Sequence, residues 1–148
     1  TKRIEQLIAA FWFGSALFLA AFAAPAAFRA ASSPTEAANV VGAMLMRWHY
    51  IALLAPLLLL VLQWRRPRGC SVIVLFVAIL FAASQGLIDT RIRSLRMHSA
   101  MAISALPEQN PLRRRFGLLH GTSMLLLLGQ IVAAGIVVGI STEKGSGL

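Results

Sequence analysis

A single cysteine, Cys70, stands among 148 residues, so the chain forms no internal disulfide and its thiol says nothing about compartment. Acidic residues are nearly as scarce: there are five, and Asp89 is the only aspartate. That is too few for the paired carboxylates of an acid–base hydrolase. No serine nucleophile elbow, glycine-rich phosphate loop or His-Glu-x-x-His pair is present. Catalysis by this chain therefore calls for a bound cofactor or metal. Only 13% of residues are charged, while 58% are hydrophobic and the mean hydropathy is +0.76. A soluble domain of this size cannot hide so much apolar surface, because much of its area must face water. Lipid covers it instead.

Four apolar stretches, about 4–28, 40–62, 70–88 and 116–140, each match the roughly 20 residues that cross a hydrocarbon layer as a helix. The expected architecture is all-α: one four-helix integral membrane bundle over residues 1–144, with the third helix running past the membrane as an amphipathic segment. In that segment, Asp89–Ala105, the residues Ile92, Leu95 and Ile103 form an apolar stripe, and Pro107 and Pro111 end it. Gly145–Leu148 resembles a tag linker. Lys2-Arg3 and the run after them also fit a cleaved secretory signal, but the run is longer than such a signal's core.

Local signals set the expected ends. Ala16, Ala20 and Ala24, with Ala23 and Ala27, repeat every four residues on the first span and favour close helix packing in lipid. Pro25 predicts a kink or an early stop. Ser33 and Thr35 are N-cap candidates for the second span. Trp64 to Gly69, with Arg65, Arg66 and Arg68, closes it with an interfacial aromatic, basic groups and helix breakers. Gly135 and Gly139 mark a close-packing face on the fourth.

A net charge of +9 suggests nucleic acid in a soluble protein. Here the arginines flank apolar spans, so anionic lipid headgroups are the simpler partner and nucleic acid is set aside. Basic residues nearly balance, six on the side of the termini and eight on the other. A cell membrane, multi-pass location with cytoplasmic termini is the expectation, resting on the basic start of the first span.

The chemistry-bearing residues gather on the side away from the termini. His49, His98 and His120, the five methionines and Asp89, Arg91 and Arg93 all map there. His49 is fourteen residues from Gln63, about 21 Å, and His120 twenty from Ile140, about 30 Å, which puts both in that half. Two histidines facing each other across a bundle would make a cofactor or metal site, since imidazole suits haem iron, copper and zinc. Asp89 and Arg93, at i and i+4, are an expected structural pair. Arg47, several residues inside a span, must snorkel, pair or line a wet cavity, and an Arg47–Asp89 pair across two helices is the sharpest structural expectation. Met44 and Met46 point to different helix faces, whereas Met97 and Met101 share one beside His98. Thioethers bind copper, but methionine also simply packs.

Phe13–Phe18, Ser33-Pro34, Arg47-Trp48-His49-Tyr50, Ile88–Arg96 and Phe116–Gly121 together look like a known pattern. They resemble the small four-helix membrane proteins of unknown function grouped around the human transmembrane protein linked to cisplatin resistance. That family is in turn similar to the copper-resistance D membrane proteins and the haem-containing four-helix protoporphyrinogen oxidases. The resemblance spans about Phe11–Val138 and implies a polar site at one face of the bundle, holding haem b or copper. His49, Asp89, Arg91, Arg93 and His120 fall on its motif positions; the methionines do not.

Three readings follow. The first is a haem- or copper-binding membrane protein, with His49 and His120 as ligands and Arg47 or Arg91 beside propionates or an anion. The second is a small homo-oligomeric transporter or metal-drug efflux component, with a water-filled cavity lined by Arg47, Asp89 and methionines. The third is a membrane scaffold or assembly subunit whose polar layer fixes helix register.

Overall fold

The computed structural model describes residues 2–64, 69–99 and 102–143. The basic turn Arg65–Arg68, Met101, Lys144 and Gly145–Leu148 lie outside them. Among the described residues there are four helical columns, each 29 to 31 residues long and apolar enough to cross a membrane. The protein is a multi-pass, all-α membrane bundle. At 1.5 Å per residue each column is about 45 Å long, against a hydrocarbon layer of about 30 Å, so the ends project into the headgroups.

The first column is α1 (Lys2–Phe18), a wide π-helical turn (Leu19–Ala23) and α2 (Ala24–Ala30). Pro25 does not stop it. A proline removes one backbone donor and crowds the carbonyl four residues back, and the wider turn just upstream absorbs both. The second column, α3 (Pro34–Gln63), starts at Ser33, whose Oγ accepts from the Glu36 N–H at 3.2 Å. Glu36 in turn accepts from the Ser32 N–H and hydroxyl, so Ser33 rather than Thr35 is the cap.

α4 (Gly69–Met97) carries the third span beyond its apolar stretch, as expected, but the helix ends at Met97 rather than Ala105. The His98 ring and backbone N–H both donate to the Ser94 carbonyl, closing the last turn. Ile103 is still buried, held by a short 3₁₀ turn (Ile103–Ala105) instead of a helix face. α5 (Pro111–Glu143) begins with Pro111 in its first turn and Asn110 as cap, whose Oδ1 accepts from the Leu112 N–H at 2.9 Å.

The columns close into a ring. α1 packs against α3 and α5, and α4 packs against α3 and α5. Small residues make the close approaches: Ala9 and Ala16 on α1, Ala52 on α3, Ala78 and Ala82 on α4 and Ala134 on α5 are all fully buried. Gly135 lets Phe13 of α1 approach, so that part of the expected glycine face is spent inside the bundle. Trp48 Nε1 donates to Ser15 Oγ at 3.2 Å, and Ser15 donates to the Trp12 carbonyl at 3.0 Å, tying α3 to α1. Large apolar side chains such as Phe11, Phe22, Leu54, Val61, Leu80 and Leu125 point outward, where acyl chains cover them.

Candidate functional site

His49 leaves α3 toward α4 and is half-buried. Its Nε2–H donates to the Ala82 carbonyl at 2.7 Å. The ring fits there because residue 86 is glycine: a Cβ at that position would lie 2.5 Å from Nε2. His120 is exposed on α5, its ring parallel to that of Phe116 with centroids 5.9 Å apart. The Arg96 guanidinium lies 5.3 Å from the Phe116 centroid and donates to the Ala38 carbonyl at 3.2 Å, pinning α4 to α3 and α5. No hydrogen bond or ring contact joins His49 to His120 among the described residues. Nor do those residues hold any group of three or more His, Cys, Asp or Glu side chains placed to bind a metal ion. His49 holds its ring with Nε2–H on a carbonyl, which leaves Nδ1 as its acceptor, and His120 stacks on Phe116 in an exposed position.

Both expected ion pairs of Asp89 are absent. Arg47 is exposed, and Asp89 Oδ1 instead accepts from Ser123 Oγ on α5 at 2.6 Å. The reason is helical phase. Arg47 lies two residues, about 200°, from His49, the α3 residue that meets α4, so it points away from α4. Asp89 finds its partner on α5 instead. Arg93, one turn further on, donates from Nη2 to the Met46 sulfur at 3.2 Å rather than to Asp89. Arg91 is exposed, as are Met44, Met97 and His98.

What the α4–α5 interface does build is a ladder of buried side chains. Gln130 Nε2 donates to Gln85 Oε1 at 2.6 Å, Gln85 Nε2 donates to Ser123 Oγ at a long 3.5 Å, and Ser123 donates to Asp89. Gln85 and Gln130 are fully buried and Ser123 is 1% exposed. Every donor points toward Asp89, so the ladder is a polarised chain ending on a carboxylate. At its other end Gln130 Oε1 is buried with no partner among the described residues. Gln130 is ten residues from Ile140, about 15 Å along the helix, and Asp89 twenty from Gly69, about 30 Å. The ladder thus runs from near the bilayer middle to the hydrocarbon edge.

Sequence reasoning singled out Asp89 but missed Ser123, Gln130 and Gly86. The signal was present as spacing, since Gln85 and Asp89 stand four apart and Ser123 and Gln130 seven apart, each a same-face interval. The end of the bundle near the termini is also more polar than expected. Glu5, Gln63 and Ser71 are buried there, and neither amide atom of Gln63 has a partner among the described residues. The Trp12 indole N–H, also buried, is likewise unpartnered among them. An outward groove of about 440 Å³ lies between α4 and α5. Its lining, including Val77, Phe81, Leu128 and Val132, contains no Arg47, Asp89 or methionine.

No curated protein and no solved structure matches the chain. The domain family described as a domain of unknown function, DUF4149, matches residues 7–105, most of the chain, and the protein belongs to that family.

Proposed function

We propose that this membrane protein binds a small cationic or hydrogen-bond-donating solute at the α4–α5 ladder and passes it to the aqueous rim at Asp89, as part of a homo-oligomeric carrier. The observation that carries this reading is the unpartnered Gln130 Oε1 at the buried end of a ladder that finishes on a carboxylate. Leaving a buried acceptor unpaired costs about 1–3 kcal/mol, and a donor solute offsets that cost. The ladder offers carboxylate, hydroxyl and amide oxygens, a set suited to hard cations and ammonium groups rather than to copper or haem iron. An ionisable side chain at the membrane edge, linked to the interior by buried polar groups, is the usual mark of a solute or ion path.

The haem or copper reading, drawn from the likeness to copper-resistance D proteins and four-helix protoporphyrinogen oxidases, has less support. No contact joins His49 to His120 among the described residues, and those residues hold no group of three or more His, Cys, Asp or Glu placed to bind a metal ion. The scaffold reading accounts for the ladder as helix glue but leaves Gln130 Oε1 unexplained.

The discriminating experiment is a thermal-unfolding titration of detergent-purified protein with methylammonium and guanidinium, beside an absorption spectrum and metal analysis. Stabilisation beyond a sodium chloride control, lost in Asp89→Asn and Gln130→Leu, supports the solute site. A Soret band or one equivalent of copper, lost in His49→Ala, transfers the function to a cofactor. Neither result leaves the scaffold reading.

A further inference from the structure

We propose that the charge on Asp89 sets, through the ladder, whether its buried end accepts or donates a hydrogen bond. A proton taken up at the rim then changes the class of solute held at Gln130. The switch rests on the solute site proposed above. Its members are in contact: Gln130 Nε2 donates to Gln85 Oε1 at 2.6 Å, Gln85 Nε2 to Ser123 Oγ at 3.5 Å, and Ser123 Oγ to Asp89 Oδ1 at 2.6 Å.

Each member has one way to serve both of its neighbours. An ionised carboxylate only accepts, so Ser123 must give it its one hydroxyl proton. Ser123 Oγ is then an acceptor toward Gln85, which must present its NH₂ group there and its carbonyl to Gln130. Gln130 in turn presents its NH₂ group to Gln85, and its Oε1 becomes the free end. The structure has that order, with Gln130 Oε1 buried and unpartnered among the described residues. Gln85 and Gln130 are fully buried and Ser123 is 1% exposed, so bulk water offers no substitute partner.

A proton on Asp89 removes the constraint. Its new O–H can donate to Ser123 Oγ, the Ser123 hydroxyl can turn to Gln85 Oε1, and Gln85 Nε2 can turn to Gln130 Oε1. Gln130 Nε2 is then the free end. This reversal needs rotation of one hydroxyl and of two amides about their terminal bonds, which are broad, two-fold torsions. No proton passes along the amides; the one gained from water stays on Asp89. Ionised Asp89 thus holds the end as an acceptor, for donor solutes, while neutral Asp89 opens both orders and admits acceptor solutes.

The other charged groups leave Asp89 to Ser123, its partner among the described residues. On α4, Arg93 donates to Met46, Arg96 lies over Phe116 and Arg91 is exposed. On α3, Arg47 is exposed and His49 donates to Ala82. On α5, His120 stacks on Phe116, and Arg114 and Arg115 are exposed.

The test compares two neutral five-membered rings on the full chain in mild detergent: pyrrole, an N–H donor, and tetrahydrofuran, an ether acceptor. Neutral probes avoid direct attraction to the carboxylate. Unfolding temperature is titrated with each, and the response of Gln130→Leu is subtracted to remove solvent effects. Wild type at neutral pH should prefer pyrrole about tenfold, because hydrogen bonds to an ionised group are roughly twice as strong as neutral ones. Asp89→Asn, neutral with both donor and acceptor, should bring the preference within about threefold. Wild type should approach the same value as pH falls. Ser123→Ala keeps the charge but cuts the chain; it should do likewise, and adding Asp89→Asn should change nothing further. A preference that survives Ser123→Ala means that the charge acts through space, which overturns the switch. So does a preference unmoved in Asp89→Asn, or unmoved at every pH at which wild type is folded. In those cases the solute site itself stands. No Gln130-dependent response to pyrrole or to methylammonium removes the solute site, and the switch with it.

Discussion

The imidazole of His49 occupies the volume that a side chain at residue 86 would take, with Nε2 2.5 Å from the position of a Cβ on Gly86. The same nitrogen donates to Ala82, one turn earlier on α4. The α3–α4 contact is therefore set by a pair, a ring on one helix and a missing side chain on the other. Gly86→Ala should expel the ring and lower stability by about 1–3 kcal/mol, as overpacking does. His49→Ala in the Gly86→Ala background should recover part of that loss. A Gly86→Ala protein with unchanged unfolding temperature would show that the ring is not held there.

The ladder makes a different prediction, because an orphaned partner costs more than a lost bond. Hydrogen bonds between membrane helices average only about 0.6 kcal/mol. Gln85→Leu, however, strands the buried Gln130 amide, which costs about 1–3 kcal/mol. The double variant Gln85→Leu/Gln130→Leu should therefore be more stable than Gln85→Leu alone. Equal or additive losses in a double-mutant cycle would separate the two residues.

Trp48 and Ser15 test the contact between α3 and α1. Trp48→Phe and Ser15→Ala should show a coupling energy of about 0.6 kcal/mol, in the range measured for interhelical bonds in membranes. Zero coupling in the cycle would mean that the 3.2 Å contact adds nothing beyond packing.

The cap of α3 lies outside the hydrocarbon and follows soluble rules. Ser33→Ala should cost about 1 kcal/mol, and Ser33→Asp should be nearly neutral. Equal unfolding temperatures for Ser33→Ala and wild type would count against the cap.

The columns were legible because hydropathy and length report spans directly: the four expected stretches fall inside the four helices. Ser33 as a cap was legible for the same local reason. The site was not. Asp89, Arg47 and Arg93 stand at spacings that suggest pairing, but spacing along one helix does not say which neighbour each face meets. Asp89 met α5, so its partner was Ser123, a residue without charge to draw attention to it. Gly86 was unreadable until His49 was placed against it, since an absent side chain has meaning only through what fills its space. Gln130 lay in an apolar run where a single amide reads as noise unless its partner on α4 is known. The end of α4 was overestimated because Ile103 continues the stripe while sitting in a 3₁₀ turn.

The measurement that bears most directly on the account is methylammonium uptake into proteoliposomes carrying wild type, Asp89→Asn or Gln130→Leu. The ladder predicts uptake above empty liposomes, reduced about tenfold or more in Asp89→Asn and clearly reduced in Gln130→Leu, with all three proteins folded. That reduction corresponds to about 1.4 kcal/mol or more at the carboxylate. Uptake at the empty-liposome level, or uptake indifferent to Asp89, would contradict a solute path through α4 and α5.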